Sequence, residues 1–508
     1  MSSSSLGQTV SSRAFAASQP TELDPEADSA RQPLWETAIA TTSRRAIALY
    51  QNECIIDESE QKRIGFAVYD RQDSEWIGSG LISGGLVPAT TDPSIAVDSV
   101  SGDFVACAYG GDASSVFHIL TARYVAGLGW SSWMSRAQGP SSELIDKPWI
   151  VAGQMGGSAG DFTNVREFYI TYWESTQSAY KYLRSVNSGS SWVGGTIEVD
   201  SQAVHGQPIA IQPTVAGSGP LYAAFRVKTN LGGRARFQFL KGTDINTGND
   251  AGKVTFDYLD DESEAALTML LNHNGQPSSI DQYFPGNLQI RTIVWLLADP
   301  TDEDRMFVVY DNTAGGVVSA GIPNDPNETT LPATGDFNVY ARLLTYNSGE
   351  GYWELGDEVQ VNDDDTLYES DQFLPSPTVD SSGRLHITWY DDRLYNASSD
   401  QLDGTGTADP KYDVFYAMGT VGANGLEFRD NELLYGTGDE EDEPALNYVR
   451  LHDPDPDWDF PDRPGEYNGI AADGDWVITS FTGTSAEDAN QSGHNPSVIW
   501  SSTIDWSE

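Results

Sequence analysis

The segment Asp391-Asp-Arg393 ends an apolar stretch, Leu385-His-Ile-Thr-Trp-Tyr390, with two carboxylates and a guanidinium. A guanidinium fork can hold a carboxylate through two parallel hydrogen bonds, and paired carboxylates can divide acid and base work in sugar hydrolysis. Arg226 follows a similar stretch, Leu221–Phe225, and Trp173-Glu174 and Tyr310-Asp311 end two more. Sugars stack on aromatic faces and are oriented by a few polar groups. Tyr390, Asp391, Arg393, Trp173, Glu174, Arg226 and Tyr310 are therefore the candidate ligand-binding residues. Carboxylates for a hydrolase are abundant (Asp311, Asp391, Asp392, Glu174), and His205 with Tyr390 is the pair a lyase would use. Abundance selects none of them, and a strand-end salt bridge is the competing role for Asp391-Asp-Arg393. No catalytic set is assigned.

A second pattern is metal-like. Asp453, Asp455, Asp457 and Asp459 alternate along Asp453-Pro-Asp-Pro-Asp-Trp-Asp459, as oxygen ligands of Ca²⁺ would. Prolines stiffen the run and no EF-type glycine follows, so a solvated acidic face is the competing reading. Six scattered histidines do not suggest a transition metal.

These residues sit in a repeat. An apolar run, a Gly/Asp/Ser turn and a second strand closed by an aromatic recur seven times, most clearly at Asp92–Tyr109 and Ser376–Tyr390. Looser copies run Glu36–Tyr50, Lys147–Trp173, Gln207–Phe225, Leu288–Tyr310 and Tyr467–Phe481. A third strand follows each copy, and a weaker fourth follows most, near Gly78–Ile82, Gly194–Val199, Glu358–Val361 and Leu426–Leu434. Radial repetition of four-stranded antiparallel sheets predicts an all-β, seven-bladed β-propeller over 34–508, preceded by an arm of residues 1–33. Six blades are the alternative, if Thr255–Gly286 is an insertion. The last unit lacks a fourth strand, and Gln8–Ala16 in the arm could pair with Val498–Ile504 to supply it.

Composition narrows the setting. The chain has 508 residues, with 75 acidic against 28 basic, a formal charge of −47. Lysine contributes only seven of the basic residues. Such an excess suits a protein that stays soluble at high salt and repels nucleic acid and anionic lipid. An ordinary acidic secreted protein is the competing reading. No apolar run reaches the ~18 residues of a membrane span, and the first residues lack the blocks of a signal peptide. Cys54 and Cys107 lie in neighbouring repeats; they could pair, or Cys107 could be a buried thiol.

The motif Ser185-Val-Asn-Ser-Gly-Ser-Ser-Trp192 follows Ser-x-Asp-x-Gly-x-x-Trp, with Asn187 in the Asp place. It resembles the Asp-box (BNR) turn of sialidase-like β-propellers, where that hairpin joins the third and fourth strands of a blade. Thr388-Trp-Tyr-Asp-Asp-Arg393 and Glu466-Tyr-Asn-Gly-Ile-Ala471 also look like members of that family. The resemblance implies an active site with three arginines on a carboxylate, a Tyr/Glu nucleophile pair and an Asp acid. Arg393 and Arg226, with Arg291, could serve as the arginines, but the Arg-Ile-Pro motif that carries the first one is absent.

Joins after second and fourth strands are long, as at Asp311–Asp336, Asp391–Tyr412 and Thr482–Pro496, whereas those on the opposite face are mostly short turns. Binding concentrates on long loops held by a rigid scaffold. Three Asn-x-Ser/Thr sequons, at Asn327, Asn396 and Asn490, fall in the same loops. The expectation is a surface-exposed module, extracellular or virion-associated, adapted to high salt and able to assemble into a larger particle. It would recognise glycans or a cell-surface protein through the long-loop face, with no nucleic acid, no membrane insertion and no cofactor beyond the Ca²⁺ reading. A sialidase-like glycoside hydrolase or a polysaccharide lyase is the alternative.

Overall fold

The computed structural model describes residues 15–16, 34–56, 59–85, 87, 91–98, 101–139, 145–153, 167–174, 179–197, 213–215, 221–227, 236–244, 254–271, 293–313, 337–364, 372–391, 393, 411–435, 449–450, 468–484 and 497–505. They form seven antiparallel sheets, one per sequence repeat. From the innermost strand outward, blade 1 is Leu34–Thr41, Arg45–Ile56, Ser59–Asp70 and Glu75–Leu81. Blade 2 is Thr91–Val97, Phe104–Gly111, Phe117–Val125 and Met134–Gln138; blade 3 is Ile145–Gly153, Glu167–Glu174, Ala179–Ser185 and Val193–Ile197. Blade 4 is Pro213–Val215, Leu221–Val227, Arg236–Asp244 and Val254–Tyr258. Blade 5 is Trp295–Ala298, Arg305–Thr313, Phe337–Asn347 and Tyr352–Leu355; blade 6 is Gln372–Val379, Leu385–Asp391, Lys411–Gly422 and Gly425–Phe428. Blade 7 is Gly469–Asp473, Trp476–Thr484 and Ser497–Asp505, with Phe15–Ala16 outermost.

The Thr255–Gly286 region settles the blade count. Its described parts, Val254–Tyr258 and Thr268–Leu270, both pair with the third strand of blade 4. They form that blade's outer edge in two pieces, so the ring is seven-bladed. Blade 5 has a similar split edge, with Tyr352–Leu355 and Val359–Gln360 on opposite ends of Phe337–Asn347.

Period-two alternation explains the packing. Alternate side chains of a second strand enter different seams, one on each side of the blade. Phe104, Ala106 and Ala108 pack toward blade 1, while Val105 and Cys107 pack toward blade 3. Met306, Val308 and Tyr310 join the seam with blade 4, and Phe307 and Val309 the seam with blade 6. These strands are buried on both faces, which is why they read as nearly continuous apolar runs. Cys107 is a free, buried thiol in one such seam; the side chain of Cys54 lies outside the described residues.

The ring closes between its first and last blades. Gly469 N donates to Thr37 Oγ1 (3.0 Å), which donates to Ser480 O (2.7 Å). Arg71 pairs with Asp473 and lies 4.2 Å above the Trp476 ring, which also stacks with Tyr69. On the outside, Phe15 and Ala16 pair with Ser501 and Trp500. The turn after Ser185 is held by its own side chains: Gly189 N donates to Ser185 Oγ (2.9 Å) and Ser191 N to Asn187 Oδ1 (2.8 Å). Arg136 of blade 2 donates to Gly189 O (3.0 Å), docking this turn on its neighbour.

Candidate functional site

The innermost strands begin on the face where the second strands end, because neighbours run antiparallel. Four of them kink near their start. Glu36, Asp92, Lys147 and Leu374 have left-handed φ values of 45°, 52°, 52° and 51°. Each lies at a shift in strand register. Left-handed backbone at such residues costs on the order of 1 kcal/mol or more, and a bulge re-aims the side chain. The charged three occupy consecutive blades, and the kinks bring them together. Lys147 Nζ lies 3.2 Å from Asp92 Oδ2 and 3.7 Å from Glu36 Oε1. Lys147 N donates to Asp146 Oδ1 (2.9 Å) and Asp92 Oδ2 (3.3 Å), and Thr91 Oγ1 donates to Asp92 Oδ1 (3.0 Å). Glu36, Asp92, Asp146 and Lys147 are all buried.

The electrostatics of this group are divided. Burial pushes the Asp92 carboxyl up, but the Lys147 ammonium and hydrogen bonds outweigh it and hold Asp92 well below the usual carboxylate range. Tyr109, across the ladder at Thr91, moves the opposite way: burial and then Asp92 raise its phenol. The arrangement keeps an ionised carboxylate beside a protonated phenol. The ammonium supplies the cation such carboxylates attract, and among the described residues no group of His, Cys, Asp and Glu is placed to hold a metal ion. Asp453, Asp455, Asp457 and Asp459 lie outside the described residues.

A second polar group lies between blades 5 and 6. Arg393 Nη2 is 2.7 Å from the fully buried Asp391 Oδ2, and Nη1 is 2.6 Å from Asp363 Oδ1. Its guanidinium stacks 4.2 Å over the Phe415 ring and donates to Asn431 Oδ1 (3.1 Å). Trp389 Nε1 (2.9 Å) and Gln372 Nε2 (3.3 Å) also donate to Asp391. Burial raises the Asp391 pKa and Arg393 opposes the rise. The guanidinium thus ties blade 6 to the segment leaving blade 5.

The remaining candidates are placed one by one. The Tyr390 ring packs in the seam of blades 6 and 7, and its hydroxyl lies 2.9 Å from Asn468 Oδ1 and 3.0 Å from Thr482 O. Tyr310 packs in the seam of blades 4 and 5; its hydroxyl donates to Glu358 (2.5 Å) and accepts from Arg342 Nε (2.8 Å). Trp173 packs in the seam of blades 3 and 4, and Glu174 lies 3.8 Å from Lys181 Nζ. The Arg226 backbone pairs with Phe237, and its side chain lies outside the described residues. Among the described side chains of these candidates, only Asp391 and Arg393 are joined by an ion pair.

Sequence reasoning passed over Glu36, Asp92, Asp146 and Lys147. A signal was present, since three of the seven repeats open on a charged residue directly before the apolar run. In those three strands the charge sits at the kink, whereas Leu374 kinks without one.

The class this geometry defines is a closed seven-bladed propeller with one polar group at the starts of innermost strands and another at the end of the second strand of blade 6. No family model and no curated protein matches the chain. Among solved structures it is similar to the leech intramolecular trans-sialidase, at 8% identity and a TM-score of 0.45, over 82% of this chain and 69% of that one. The intramolecular trans-sialidase of Ruminococcus gnavus follows at 10% identity and 0.42, over 70% and 89%. The β-propeller domain of the Trilobed protease from Pyrococcus furiosus matches at 8% and 0.36, over 80% and 97%. At such identities the likeness is one of fold.

Proposed function

We propose that this protein is a surface-exposed binding propeller, extracellular or virion-associated and adapted to high salt. It recognises a glycan or a partner protein through the face where the innermost strands begin. The distribution of chain length carries this reading. On that face, 23 residues separate the second and third strands of blade 5 and 19 those of blade 6. On the opposite face, two residues join Gly469–Asp473 to Trp476–Thr484 and five join Gln372–Val379 to Leu385–Asp391. Blade 3, with 13 residues between Ile145–Gly153 and Glu167–Glu174, is the exception on the short side, and a rigid ring with most of its long joins on one face is built to present them. Arg393 and Glu174, at strand ends on this face, meet ligand, while Tyr390, Asp391, Trp173 and Tyr310 hold the strand ends behind them.

A second reading, a glycoside hydrolase or polysaccharide lyase, is favoured by the buried carboxylates of Glu36 and Asp92, brought to one ammonium, Lys147, from three consecutive blades. A glycan array run beside a reducing-sugar assay in molar salt separates the two. Binding without turnover is the expected result. Turnover lost in both Glu36→Gln and Asp92→Asn would replace the binding reading with the enzymatic one.

A further inference from the structure

The innermost strands enclose an axial cavity of about 420 Å³. Its wall, drawn from six of the seven blades, includes Ile95, Trp149, Trp295 and Val379, and among the described residues no charged one lines it. That is unusual for a chain in which 20% of residues are charged. Trp149 and Trp295 belong to blades 3 and 5, yet their rings meet edge to face at 5.2 Å and 82°, reaching past blade 4. The Trp295 indole N–H is buried with no acceptor among the described residues, which leaves on the order of 1–3 kcal/mol of hydrogen bonding unrealised. The innermost strands also present the ladder edge that nothing in their own sheets pairs. Hydroxyls take up part of it, as where Ile150 N donates to Ser94 Oγ (3.1 Å).

We propose that this channel is a subsite for one neutral sugar unit. The proposal rests on the glycan form of the binding reading and names where one residue of that glycan sits. A pyranose needs hydrogen-bond donors and acceptors around its rim and an aromatic plane against its C–H face. Strand edges provide the first and the half-buried Trp149 indole the second. An acidic sugar is refused, because the described wall offers no cation and burying an unpaired charge is costly. The chain's net charge of −47 acts in the same direction.

Titration of the full chain with galactose, glucose and N-acetylglucosamine, and with glucuronate as the charged control, tests this in molar salt by calorimetry and tryptophan fluorescence. At least one neutral sugar should bind saturably and shift the fluorescence, with glucuronate at least tenfold weaker. Thr378→Trp, which fills the channel from blade 6, should weaken that binding tenfold or more while thermal melting shows an intact fold. Trp149→Ala should do the same by calorimetry. The absence of saturable binding by every neutral sugar, equal binding of glucuronate, or binding that survives Thr378→Trp would each overturn the proposal. A glycan array on the same protein reports on the loop face separately. Array binding without monosaccharide binding removes only the channel, and the reverse removes only the loop face.

Discussion

Arg393 shows how a residue on a candidate ligand face can also carry architecture. Its fork closes on Asp391 and Asp363 while its plane covers Phe415. Arg393→Ala leaves a fully buried carboxylate unpaired, a change that typically costs roughly 3–5 kcal/mol. Chemical denaturation should show a loss of that order, with Arg393→Lys recovering part of it; an unchanged midpoint would mean that the tie is not structural. His386 allows a pH test. It is fully buried, with Nδ1 2.6 Å from the Tyr416 hydroxyl and Nε2 3.2 Å from Asp380 Oδ2. Burial depresses its pKa, ahead of the opposing pull of Asp380. The native state therefore stays neutral where the unfolded chain takes up a proton. This contribution to stability is complete above about pH 6.5 and is lost as pH falls below it. Melting temperature should fall between pH 7 and 5, and less steeply in His386→Asn. Parallel profiles for the two proteins would exclude His386 as the cause.

At the scale of elements, the outer edge of blade 7 is the place to probe. Phe15 and Ala16 occupy it, while Thr37, Arg71 and Trp476 join the same blade to blade 1 through side chains. Deleting residues 1–20 should lower the melting temperature by several degrees, because it uncovers a strand edge. No change would show that the side-chain ties suffice. The paired strands themselves were legible, since Asp92–Tyr109 and Ser376–Tyr390 each hold two strand-like runs broken at turn residues. What such runs could not reveal is which neighbouring blade each face meets. Tyr390 and Trp173 looked like residues at a mouth because each closes a run; the seams that swallow their rings exist only once neighbouring blades are in place. The meeting of Glu36, Asp92 and Lys147 was hidden for the same reason. It spans three repeats, and although a charge opens each of them, the kinks that aim those charges at one point belong to the folded backbone.

For the whole molecule, a net charge of −47 on a closed ring means mutual repulsion that only counter-ions relieve. At about 1 M salt the screening length falls to roughly 3 Å. The melting temperature should rise steeply from millimolar to molar sodium chloride. A flat or falling curve would remove the case for adaptation to a saline setting.

Cys107 offers something else, a clock. Its thiol is wholly enclosed between blades 2 and 3, and burial raises its pKa, so a thiol reagent can reach it only when that seam parts. In a Cys54→Ser protein, the rate of labelling at Cys107 then counts seam openings. If the ring opens as a unit, labelling and global unfolding share one dependence on denaturant. If single seams breathe, labelling outruns unfolding at low denaturant, and ligands that clamp neighbouring blades slow it without touching the cysteine.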